Sequence, residues 1–132
     1  AIAPYSEELS KKLPITYQSR LEESEHFLQM QEVDGEVNAD TKIELIEELR
    51  PWARYQLMPG SGKKHQLRAH MNALGVPIRN DQIYPILTPY QEYELDFTKP
   101  LQLLAKKISF KDPITGEERS FCSGQELKFG LN

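Results

Sequence analysis

Between Pro59 and His70 the chain reads Pro-Gly-Ser-Gly-Lys-Lys-His-Gln-Leu-Arg-Ala-His, and Leu74-Gly-Val-Pro-Ile78 follows. Lys63, Lys64 and Arg68 are cations, and His65 and His70 can exchange protons near neutrality. Together they suit the recognition of an anion such as a carboxylate or phosphate. They do not suit a metal. His65 and His70 are five apart and diverge by about 140° on a helix, whereas zinc-binding helices use an i, i+4 pair. Only His26 and Cys122 could add ligands. Nor is Gly60-Ser-Gly-Lys-Lys a nucleoside-triphosphate loop, since it lacks the G-x-x-x-x-G-K-[ST] spacing.

The charge of the whole chain hides this segment. Sixteen Lys and Arg stand against twenty Asp and Glu, a net charge of −4. From Leu49 to Asn80, however, there is no acidic residue, while Arg50, Arg54, Lys63, Lys64, Arg68 and Arg79 are all basic. A polyanion meets the local field rather than the average, so this window points to a nucleic-acid partner. The lysines also have a plainer reading, as the solvated start of a helix whose dipole they oppose. Arg68, beside the apolar Leu67, is either a snorkelling cover for the core or an arginine held rigidly on an anion.

A helix must carry these groups. Its expected span is about 63–74, with Ser61 as cap, Gly75 as the left-handed stop, and Leu67, Met71 and Leu74 as the buried stripe. Before it, residues 1–20 read as a short apolar start and a loop containing Pro4 and Pro14. Phe27–Val33 reads as a strand, closed by a turn at Asp34-Gly35. Thr41–Leu49 fits either a helix face (Ile43, Ile46, Leu49) or a strand (Thr41, Ile43, Leu45). Its neighbour Trp52–Met58 alternates cleanly, so a hairpin about Arg50-Pro51 is the better reading. Residues 79–100 read as irregular loop. Leu101–Phe110 and Arg119–Cys122 pair across a turn at Asp112–Gly116. The pattern predicts an α+β fold, a mostly antiparallel or mixed sheet with one main helix. At 132 residues it forms one domain. No apolar run reaches the roughly 20 residues of a membrane span. The single Cys122 fits a reducing, cytoplasmic setting.

The block from Pro59 to His70, followed by Leu-Gly-Val-Pro-Ile-Arg-Asn-Asp-Gln-Ile-Tyr84, resembles a specific signature. It looks like P-x-T-G-R-x-H-Q-[LI]-R-x-H…G-x-P-I-x-G-D-x-x-Y of the RluA family of pseudouridine synthases. Leu101–Ala105, Ile108-Ser-Phe110 and Asp112–Glu117 resemble the family's closing strand pair. Met30–Val33 and Asn38–Thr41 resemble members with mixed tRNA and rRNA targets. Three positions depart: Ser61 stands for Thr, Lys63 for Arg, and Asn80 for the Gly before Asp81. The family's catalytic H-R-L-D-x-x-T motif is absent from the sequence.

The resemblance therefore implies the C-terminal portion of a catalytic domain truncated at its N-terminus, inactive alone. It implies isomerisation of uridine in an rRNA or tRNA stem-loop, with no cofactor. Arg68 would pair the absent aspartate and the phosphate of the flipped nucleotide. Lys63, Lys64, His65, His70 and Arg79 would face RNA. Asp81 would belong to a structural turn and not be the nucleophile. The alternative is a non-catalytic RNA-binding module using the same basic helix.

Overall fold

In a computed structural model, residues 1–25, 28–86 and 99–127 are described. Among these residues seven strands and two helices follow in the order β1 (Ile2–Pro4), α1 (Glu7–Ser10), β2 (Ile15–Glu23), β3 (Met30–Val33), β4 (Ala39–Leu49), β5 (Trp52–Pro59), α2 (Gln66–Ala73), β6 (Lys107–Lys111) and β7 (Glu118–Cys122). The first five strands form one antiparallel sheet in the order β1-β5-β4-β2-β3, and β6 and β7 form a separate ribbon. The α+β expectation holds. Among the described residues no helix is long and apolar enough to cross a membrane.

The hairpin of β4 and β5 turns at Arg50-Pro51, with Leu49 opposite Trp52. Its ambiguity in sequence has a structural cause. The register slips between Leu45 and Glu47, a bulge that leaves Ile46 exposed. An extra residue shifts the two-residue period and mimics a helical one.

Residues 1–20 are not the expected loop. Ile15, Tyr17, Ser19 and Leu21 alternate on β2, and Ile15 and Tyr17 stand opposite Ile43 and Thr41 of β4. Farther along, Leu101–Lys106 is not strand. It crosses the sheet edge through Gln102, which accepts from the Ile2 amide and donates to the Arg79 carbonyl. The expected strand from Phe27 begins at Met30, and residues 26–27 lie outside the described residues, as do 87–98 of the expected loop.

One face of the sheet carries the core. Ile43, Ala53, Tyr55, Met71, Val76 and Ile78 pack together there with Ala3 and Leu9. Complete burial of a side chain such as Met71 is worth about 1.5–3 kcal/mol. A second cluster of Leu21, Ala39, Ala69 and Tyr84 lies alongside. Between these clusters α2 crosses the sheet, so its orientation is fixed from both sides.

Candidate functional site

Helix α2 starts later than its sequence suggests. Lys63 and Lys64 precede it as exposed loop residues, and His65 stands at its cap in the left-handed region at φ 52°. No side chain caps it in the usual way. Instead the Gln66 side chain bridges the loop: Oε1 accepts from the Lys63 amide at 3.1 Å and from the Ser61 hydroxyl at 2.8 Å. Ser61 is thus not the helix cap. Its oxygen also accepts from the Asp40 amide at 3.0 Å, which ties the loop to β4. Gly60 allows this approach, because a Cβ there would collide with the Asp40 carboxylate. At the other end Gly75, at φ 82°, takes the left-handed stop that only glycine adopts freely.

The buried face of α2 is rotated from the expected stripe. Gln66, Ala69, His70 and Met71 are buried, whereas Leu67 and Leu74 are half-buried. His70 is completely buried, and both ring nitrogens have partners. Gln66 Nε2 donates to the Asp40 carbonyl at 2.8 Å and to Thr41 Oγ1 at 3.0 Å. The same Thr41 hydroxyl shares a hydrogen bond with His70 Nδ1 at 2.8 Å, and the Ser19 hydroxyl shares one with Nε2 at 2.9 Å. Burial pushes the His70 pKa down, in keeping with a neutral ring. His70 therefore does not face solvent, where the sequence reading placed it. It locks α2 to β2 and β4.

Arg68 is held on an anion. Its Nε donates to Asp81 Oδ2 at 3.0 Å and its Nη2 to Oδ1 at 2.6 Å. The Arg68 side chain is 17% exposed and that of Asp81 only 1%. Asp81 Oδ1 also accepts from the amides of Ile83 and Tyr84 at 2.9 and 3.0 Å, so the expected turn is present and doubles as a guanidinium receptor. The Tyr84 ring lies under Arg68, 5.7 Å from its guanidinium carbon. The Tyr84 hydroxyl accepts from the Met30 amide at 2.7 Å and is 3.3 Å from His65 Nδ1. This contact steadies the left-handed His65. Burial, then Arg68 and Lys64, lower the His65 pKa, so the ring is neutral at pH 7.

The structure brings Lys63, Lys64, His65 and Arg68 to one end of the sheet, where Lys64 lies 3.8 Å from Glu23. Arg79 is directed to the other end of β5 from the glycine loop, where it stacks 4.6 Å from the Trp52 ring, although Asp81, the partner of Arg68, is only two residues on. Among the described residues no three His, Cys, Asp or Glu side chains gather as a metal site. The sequence reading did not single out Ser19, Asp40, Thr41 or Gln66. Their signal was faint: Gln66 and His70 are an i, i+4 polar pair flanking Ala69, a pattern that fits a buried polar seam.

No family model matches the chain. Curated relatives do. Over 70 residues the chain is 44% identical to the dual-specificity RNA pseudouridine synthase RluA of Pasteurella multocida, covering 53% of this chain and 30% of the relative. It is 36% identical over 89 residues to the protein of the same name from Haemophilus influenzae, covering 63% of this chain and 36% of that one. It is also 38% identical over 85 residues to tRNA pseudouridine synthase C of Pasteurella multocida, covering 60% and 34%. The chain thus spans about a third of the length of these relatives. They bear out the resemblance to RluA-family pseudouridine synthases.

Proposed function

We propose that this chain is the C-terminal portion of the catalytic domain of an RluA-type enzyme that isomerises uridine to pseudouridine in rRNA or tRNA. The observation that carries this reading is Arg68, fixed by Asp81 beside Lys63, Lys64 and His65 at the mouth of the acid-free segment. The names of the relatives support the reaction class. A cytoplasmic setting belongs to the same reading.

The chemistry needs no external oxidant or reductant. The N1–C1′ bond of uridine breaks, the uracil turns, and a C5–C1′ bond forms as C5 loses a proton and N1 gains one. Flipping the nucleotide costs a few kcal/mol of unstacking, which favours loops and stem-loops. An aspartate beside an extruded phosphodiester would suffer like-charge repulsion. A rigid arginine offsets both charges. In this reading Arg68 is that arginine, Lys63, Lys64 and His65 line the RNA path, and His70 holds them in place from beneath. Arg79, turned onto Trp52, would have to leave that ring to join them.

The aspartate itself lies in a motif this sequence lacks, so the 132-residue chain alone should not form pseudouridine. The test is pseudouridine formation on a uridine-containing stem-loop. The product of an encoding gene that extends through an H-R-L-D-like motif should be active, and the purified chain inactive. Turnover by the purified chain would refute the need for the missing aspartate. RNA binding by a chain that is the whole gene product would favour the non-catalytic module.

A further inference from the structure

An arginine side chain has about 2 kcal/mol of rotamer freedom, so a catalytic or phosphate-binding arginine needs something to hold it. We propose that Asp81 is the positioning residue for Arg68, fixing one edge of the guanidinium so that the other is presented to an RNA phosphate. This rests on the reading of the Lys63–Arg68 surface as RNA-facing.

Three observations carry it. Both carboxylate oxygens of Asp81 are engaged by the fork, at 3.0 and 2.6 Å. Two backbone amides, of Ile83 and Tyr84, pin Oδ1 independently of Arg68. The carboxylate is sealed from water at 1% exposure while the arginine side chain keeps 17%. Asp81 therefore cannot swing with Arg68 without leaving backbone donors unsatisfied. Two of the five guanidinium N–H groups are committed to it, and the remainder are on the edge turned away.

The idea makes a prediction of unusual sign. By charge alone, removing a carboxylate from a basic surface should strengthen RNA binding. Loss of a positioning residue should weaken it. In Asp81→Asn the amide oxygen can still accept from Ile83 and Tyr84, so the turn survives. The amide nitrogen, however, faces arginine donors and breaks the fork.

The experiment measures stem-loop RNA affinity at low salt for the 132-residue chain, Asp81→Asn, Arg68→Ala and the double variant. It also follows the Arg68 Nε–H signal by NMR. Asp81→Asn should weaken binding about tenfold, the loss expected for one charge-assisted hydrogen bond to a phosphate. The Nε–H signal should lose its protection from exchange. The double variant should bind no worse than Arg68→Ala, because Asp81 acts through Arg68. Wild-type or tighter binding by Asp81→Asn, with Arg68→Ala weakened, overturns the positioning role and leaves the RNA reading standing. Unchanged binding by Arg68→Ala overturns the RNA reading of this residue and the proposal with it. If Asp81→Asn fails to fold, Arg68→Lys takes its place with Asp81 intact. A lysine cannot span both oxygens and still present a second edge, so wild-type affinity there also overturns the proposal.

Discussion

Thr41→Val is the sharpest probe of how the basic loop is held. Valine matches threonine in shape, keeps the β-branch that suits strand β4, and leaves no cavity. What disappears is one hydroxyl that accepts from Gln66 Nε2 at 3.0 Å and bonds His70 Nδ1 at 2.8 Å. Thr41 and His70 are fully buried and Gln66 nearly so. One Gln66 N–H and His70 Nδ1 are therefore left without this partner, away from water. Each orphaned group costs about 1–3 kcal/mol, so the variant should lose about 2–6 kcal/mol. That is a large part of the 5–15 kcal/mol typical of a folded domain.

Urea unfolding at pH 7.5 measures the effect, as a lower midpoint at unchanged m-value. Ser19→Ala serves as the internal control. Ser19 is only half-buried, so water can replace its hydroxyl at His70 Nε2, and the cost should stay near 1 kcal/mol. The Lys63 amide should also exchange faster in Thr41→Val, because its acceptor is the same Gln66 side chain. A loss below about 0.5 kcal/mol in Thr41→Val, or equal losses in the two variants, would refute the buried hydrogen-bond network of Gln66, Thr41 and His70.

Gly60→Ala should destabilise by about 1–2 kcal/mol as its Cβ displaces the Asp40 carboxylate, whereas Gly62→Ala meets open space and should be near neutral. Adding Asp40→Ala should recover most of the Gly60→Ala loss in the same urea assay. Both His65 and His70 are held below their ordinary range, so the unfolded chain takes up protons near pH 6.5 before the folded one does. Their stabilisation is complete above that pH and is lost as the pH falls below it; NMR titration of the two rings should give midpoints below 6.5. Replacing Lys63 and Lys64 together with Ala should flatten the salt dependence of RNA binding by about 1.5 in the log–log slope, and an unchanged slope would place the RNA surface elsewhere.

The hairpin of β4 and β5 and the stop at Gly75 were legible because they depend on neighbours in sequence. Strand β2 was legible in principle. Ile15, Tyr17, Ser19 and Leu21 alternate, but Pro4, Pro14 and the polar residues around them made the segment read as loop. The polar Ser19 is inward because it shares a hydrogen bond with His70, fifty-one residues later. The same partnership explains why His70 misled. Among basic neighbours a histidine reads as surface, and only the hydroxyls of Ser19 and Thr41 make it a core residue. The α2 stripe failed for a related reason. Burying Gln66 and His70 rotates the helix by about one residue, or 100°, from the face that Leu67, Met71 and Leu74 alone would choose.

These polar partnerships also bear on how an acidic chain could meet RNA. Lys64 is flanked by Glu23, and Arg68 is half-committed to Asp81. Arg79 is turned onto the Trp52 ring rather than toward them. The local positive potential is thus weaker than six cations without an acid in sequence suggest. A broad basic surface gains affinity from many loosely placed charges and loses it gradually with each mutation. This surface has few charges, of which Arg68 is fixed in a fork, while the two exposed lysines stand on a loop whose backbone is seated by Gln66. Rigid placement favours discrimination over bulk attraction, because an anion in the wrong position gains little from a donor that cannot follow it. On the proposed RNA reading, substitutions that loosen the seat at Thr41 or Gln66 should therefore blur discrimination among stem-loop RNAs more than they weaken RNA binding.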